Sequence, residues 1–141
     1  MNLSQVIHNP EMLKAFYSES PSLDRITLHR LTLDRNSLTI SFDVLDFPDK
    51  KPKKWHPDFN TAQITITFWG INNKIDIKGF CDIIQGKLII NKHSEIMIDF
   101  EFEGSDVKIQ GSCQVVRLEK IEGYINTELN SIQPTSAPPV G

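Results

Sequence analysis

The residues of this 141-residue chain with most chemistry to offer are four histidines, two cysteines and a lysine-rich loop. His8, His29, His56 and His93 never fall at i, i+2 or i, i+4, and neither Cys81 nor Cys113 stands close to one. Zinc sites usually announce themselves by such spacing, so no metal and no cofactor are expected. His56-Pro57-Asp58 could orient an imidazole for base catalysis. No serine or cysteine stands nearby in a nucleophile-elbow context, so His56 reads as a loop residue and Asp58 as a turn former. The seven glycines are dispersed, which excludes a glycine-rich phosphate loop. The chain is expected not to be an enzyme.

Two other groups of residues suit binding. Lys50, Lys51, Lys53, Lys54 and Trp55 combine positive charge with an aromatic ring, as single-stranded nucleic acid requires. Between Asp43 and Asp58, however, four lysines meet four aspartates, and the whole chain carries a net charge of −3. A dedicated nucleic-acid binder carries a basic excess, so nucleic acid is not the expected partner. Trp55 instead pins the loop to the core, with Lys53 and Lys54 in water, and the three together form a candidate protein contact. Asp99, Glu101 and Glu103 alternate with Phe100 and Phe102, forming an acidic stripe on one strand face. The stripe is either an ordinary wetted sheet face or a surface that steers a basic partner.

The elements that must carry these residues are mostly strands. Asn9, a favourable N-cap, and Pro10 at the first helical position open a short helix. Met12, Leu13, Phe16 and Tyr17 share one of its faces, and Pro21 prevents continuation. Beyond Pro21 the apolar period changes to two. Leu38 to Val44, Ile64 to Phe68, Ile96 to Phe102 and Val107 to Val115 each alternate, with shorter strands at Lys74–Phe80 and Lys87–Asn91. Ile26 and Leu28 are out of step with Leu31 and Leu33. One extra residue at His29-Arg30 restores the phase, which predicts a β-bulge there. Asp34-Arg35-Asn36-Ser37 is a hairpin turn. Gly79 and Gly111 interrupt strands, as bends or close backbone approaches do. Six or seven strands with short connections predict a mostly β (α+β) fold. It is an antiparallel β-sandwich or strongly curved sheet with the short N-terminal helix packed on it.

One domain over residues 1–126 accommodates all of this, and a chain of this mass buries roughly two-thirds of its unfolded surface without a metal or disulfide. Residues 127–141, ending QPTSAPPVG, read as a disordered tail. The N-terminus has neither a basic nor an apolar signal region, and nothing approaches the ~18 apolar residues of a membrane span. A cytoplasmic protein with no membrane partner is expected. Cys81 and Cys113 are expected to be reduced and buried. Nothing in the sequence sets the oligomeric state.

The chain resembles the immunity protein 50 family of bacterial polymorphic toxin systems. The likeness rests on Pro21-Ser22-Leu23 and the Leu28-His29 strand. Its most specific part is Phe47-Pro48 leading into Pro52-Lys53-Lys54-Trp55 and Phe59-Asn60-Thr61-Ala62-Gln63. Gly79, Ile121, Gly123 and Tyr124 also fit, and the likeness spans most of residues 6 to 126. The resemblance implies a non-enzymatic immunity protein that binds and neutralises a cognate toxin. It brings no catalytic residue. The alternative is a β-sheet binding module for nucleic acid or a small ligand, working through the Lys50–Trp55 loop.

Overall fold

A computed structural model describes residues 2–79 and 84–127. Cys81 and residues 128–141 of the expected tail lie outside them. Among the described residues are two short helices, α1 (Leu3–Val6) and α2 (Pro10–Lys14), followed by eight strands. These are β1 (Ile26–Asp34), β2 (Ser37–Val44), β3 (Thr61–Trp69), β4 (Asn72–Lys78), β5 (Gln85–Ser94), β6 (Met97–Gly104), β7 (Lys108–Cys113) and β8 (Val115–Tyr124). They pair antiparallel into one open sheet of order β4-β7-β6-β5-β1-β2-β3-β8. Of the two expected architectures, an antiparallel β-sandwich or a strongly curved sheet with one short helix packed on it, the chain adopts a single open antiparallel sheet, with two short helices in place of one.

The curvature comes from a weak join at the middle of the sheet. Among the described residues the β1–β5 ladder has two residue pairs, Ile26↔Gly86 and Thr27↔Gln85, with Leu28 N–H also donating to the Ile84 carbonyl and Leu88 N–H to the Leu23 carbonyl. The four strands on each side of that join fold towards each other and bury their apolar faces together. Phe68 on β3 and Phe100 on β6, far apart in strand order, stack with ring centroids 4.1 Å apart. Around them lie Leu38, Ile40, Phe42, Ile64, Ile66, Ile98 and Phe102, all buried. Gly111 sits opposite Phe100 in the ladder, and a Cβ there would lie 2.8 Å from the Phe100 ring. The mid-strand glycine thus marks a close approach.

Several local features depart from the pattern in the sequence. The alternation from Val107 to Val115 is two strands, because the chain turns at Gln114. Ile96, in phase with β6, lies in the β5–β6 turn and is 70% exposed. β8 is the strand the alternation conceals. Its register shifts between Thr65↔Lys120 and Ile66↔Leu118, so Glu119 is an extra residue that separates Leu118 from Ile121 by three positions.

The N-terminal segment guards an edge. Asn9 occupies the N-cap position of α2 but its side chain makes no cap hydrogen bond. Its amide instead donates to the Leu118 carbonyl (2.9 Å) and accepts from the Leu118 N–H (3.0 Å). His8 N–H donates to the Val116 carbonyl at 2.7 Å. An otherwise open strand edge is a template for unwanted pairing, and here side chain and backbone occupy that of β8. Leu13 and Tyr17 are buried, and the Tyr17 hydroxyl donates to the Asp46 carbonyl at 2.8 Å.

Cys113 is a free, fully buried thiol. Burial, more than the nearby Asp99 charge, pushes it up to about 12. Since the thiolate is the reactive form, Cys113 in a Cys81→Ser variant should resist a thiol reagent while the protein is folded. It should react fully in denaturant. Fast labelling of the folded protein would show that β7 opens locally.

Candidate functional site

The two halves of the sheet each present an outer face, and both faces are polar. On the β1-β2-β3-β8 half the decisive feature is the bulge predicted at His29-Arg30. The pairing moves from Leu28↔Phe42 to Arg30↔Ser41, leaving His29 as the additional residue. A bulge re-aims side chains, and this one sends both His29 and Arg30 outward. His29 Nε2 meets Asp43 Oδ2 at 2.6 Å. Asp43 Oδ1 also accepts from Gln63 Nε2 (3.2 Å) and from the Tyr124 hydroxyl (3.1 Å). The Tyr124 hydroxyl stands 3.2 Å from His29 Nε2 as well. Burial and then the Asp43 charge push the Tyr124 phenol well above its ordinary range, so it stays protonated as a donor. This network fixes four side chains from four strands. Next to it is a depression of about 200 Å³ lined by His29, Arg30, Ser41, Gln63, Lys120 and Glu122.

The acidic stripe lies on the other half. Asp99 accepts from Ser112 Oγ at 2.6 Å and pairs with His93 Nε2 at 2.6 Å. The Ser112 hydrogen bond, opposed by desolvation and helped by His93, holds the Asp99 carboxyl below its ordinary value. Serine, aspartate and histidine therefore meet here, but the carboxylate sits between the other two. A nucleophilic triad needs the imidazole there, to take the hydroxyl proton. Glu101 pairs with Lys108 at 3.3 Å, and Glu103 stands in register between Lys87 and Lys108. The stripe is thus interleaved with lysines. Asn72, Asp76, Asn91, Asp99, Gln110 and Ser112 line a shallow concavity of about 480 Å³ beside it. Asp99 has a pH consequence. A carboxyl whose folded value is lowered adds stability above its unfolded value and loses it as pH falls through the folded value. Ser112→Ala should raise the Asp99 titration midpoint and weaken the acid-induced loss of stability. An unchanged midpoint by NMR would remove Ser112 as the cause.

The Lys50–Trp55 loop forms a third region. The Trp55 ring packs against Phe16 (5.9 Å between centroids) and Phe59 (5.2 Å) and lies over Gly123. It is half-buried, while Lys53 and Lys54 are exposed. Lys50 Nζ donates to the Lys14 carbonyl, and Lys51 sits over the Phe59 ring. His56 does not pair with the Asp58 carboxylate; its Nδ1 accepts the Asp58 backbone N–H at 3.0 Å. Trp55 packs on β8 and the stripe runs along β6, so the residues singled out in the sequence occupy different halves of the sheet. The network of His29, Asp43, Gln63 and Tyr124 was not among the candidate sites, although His29, Gln63 and Tyr124 lie in the segments that carry the resemblance. The phase slip at His29-Arg30 signalled only its bulge. Among the described residues no three His, Cys, Asp or Glu side chains are grouped to hold a metal ion. No helix there is long and apolar enough to cross a membrane.

A family model described as Immunity protein 50 matches residues 9–124. The chain belongs to that family. The Immunity protein 50 match begins at Asn9, whose amide occupies the edge of β8, and ends at Tyr124 in the outer-face network. It therefore takes in both outer faces and the Trp55 loop. No curated protein and no solved structure gives a significant match.

Proposed function

We propose that this protein is a non-enzymatic immunity protein that neutralises a cognate bacterial toxin in the cytoplasm by stoichiometric binding. Membership of the Immunity protein 50 family over most of the chain carries this reading. The surface supports it. The polar side chains of the outer faces are held by each other before any partner arrives, and such preorganisation lowers the entropy cost of binding. A nucleic-acid role through the Lys50–Trp55 loop is less well supported. Base stacking needs a free aromatic face, and the Trp55 ring is engaged by Phe16, Phe59 and Gly123. In the favoured reading Asp99, Glu101 and Glu103 act at short range, because the lysines between them cancel much of their distant field. Reversing all three should slow association modestly rather than abolish protection.

The test is co-expression of each toxin encoded beside this gene, with and without the protein, followed by isolation of the complex. Survival together with a complex of fixed stoichiometry is expected. No rescue and no complex with any neighbouring toxin would overturn the reading.

A further inference from the structure

We infer that the depression at Arg30 is a receptor for a carboxylate, the side chain of an aspartate or glutamate on the partner protein. The first observation is a pair of hydroxyls with one donor to spare. Ser41 Oγ and Thr65 Oγ1 lie 2.9 Å apart, and the two residues are only 8% and 7% exposed. One hydroxyl donates to the other, which leaves one proton unused among the described residues. The adjacent pair on the same face shows what chemistry would take it. Thr39 and Thr67 stand 3.0 Å apart, and Thr67 donates onward to a carboxylate oxygen of Glu119 at 3.2 Å. At Ser41 and Thr65 the corresponding carboxylate is missing, and Ser41 forms part of the wall of the depression.

The second observation is a guanidinium left over. The carboxylates nearest the depression already have partners: Asp43 has His29, Glu119 has Arg117, and Glu122 has Lys120. Arg30 has no ion pair or hydrogen bond through its side chain among the described residues, and it lines the same depression. A carboxylate entering there would match the planar fork of Arg30 with two parallel hydrogen bonds and accept the spare hydroxyl proton beneath. A phosphate group fits less well. Its higher charge would face Glu122 on the wall and Asp43 behind His29, and the chain as a whole carries −3.

The identity of the partner rests on the immunity reading, but the receptor can be tested without it. NMR titration with sodium acetate, against sodium chloride at equal ionic strength, should give a saturable shift at the Arg30 Nε–H and the Ser41 and Thr65 amides. The shift should vanish in Arg30→Gln, an exposed position where the fold is expected to survive. Absence of saturation, or the same response in Arg30→Gln, would overturn the inference. So would tighter binding of inorganic phosphate or a single-stranded oligonucleotide at these resonances. With a toxin that the wild type binds, Arg30→Glu should raise Kd by at least about 30-fold, as loss of a desolvated charge pair does. Lys74→Glu on the opposite half serves as the control and should change Kd little. Unchanged toxin binding by Arg30→Glu would overturn the inference and leave the immunity reading intact. Saturable acetate binding by a protein that binds no neighbouring toxin would do the reverse.

Discussion

Replacing Phe68 with alanine should destabilise the protein by about 3–5 kcal/mol, the usual cost of truncating a buried aromatic residue. Phe68 is 0% exposed and stacks on Phe100 from the opposite half of the sheet. The backbone ladder gives these halves little support, since β1 and β5 share two residue pairs among the described residues. Their closure therefore rests on side chains, and the Phe68–Phe100 stack lies between them. Stability totals of roughly 5–15 kcal/mol are typical, so the loss would consume a large part of the margin. Urea unfolding should show it as a lower midpoint, and Phe68→Leu, which keeps most of the volume, should lose much less. A cost below about 1 kcal/mol for Phe68→Ala would mean that the halves are held together elsewhere.

Trp55→Ala should cost about 3 kcal/mol, at the lower end of the aromatic range because the ring is only half-buried. The indole holds a long loop that has no ladder of its own, between Phe16, Phe59 and the backbone of β8. Gly123 makes that packing possible. A Cβ at Gly123 would lie 2.3 Å from Cε3 of Trp55 and 2.7 Å from Cδ2. Gly123→Ala should therefore displace the ring, at a cost of about 1–3 kcal/mol typical of overpacking. The two changes should not add. Once Trp55 is alanine, Gly123→Ala meets no indole and should be nearly neutral, and a double-mutant cycle by chemical denaturation reads the coupling. Additive costs would refute the contact. Unchanged stability with lost toxin binding in Trp55→Ala would make Trp55 a binding residue rather than an anchor.

The family features and the packing meet at this contact. Pro52-Lys53-Lys54-Trp55 and Gly123 are among the residues that carry the likeness to the immunity proteins, and the fold brings Trp55 and Gly123 together. The contact gives both residues a structural role. The two lysines beside Trp55 extend into solvent and are not needed for the packing.

Alternation of period two, turn residues and one phase slip were enough for the sequence to determine a mostly antiparallel β fold, a sandwich or a strongly curved sheet, with a bulge at His29-Arg30. Those signals are local: each reports how a few neighbouring side chains divide between a dry and a wet face. β8 escaped the same reading because its own bulge at Glu119 breaks the alternation, and nothing local says that Thr65 and Ile66 pair on either side of it. Asn9 illustrates the limit most directly. Its type and place before Pro10 mark a helix cap, but β8, more than 100 residues later, takes its amide. The outer-face network joins His29 to Asp43 and Tyr124, and the depression beside it takes Ser41 and Lys120 from strands equally distant in sequence. Charge worked the same way: Asp99, Glu101 and Glu103 are an acidic run in the chain, but register sets Lys87 and Lys108 among them. Composition and periodicity decide which face a residue prefers. Which residues become neighbours on that face is decided by strand order and register, which only the closed tertiary structure specifies.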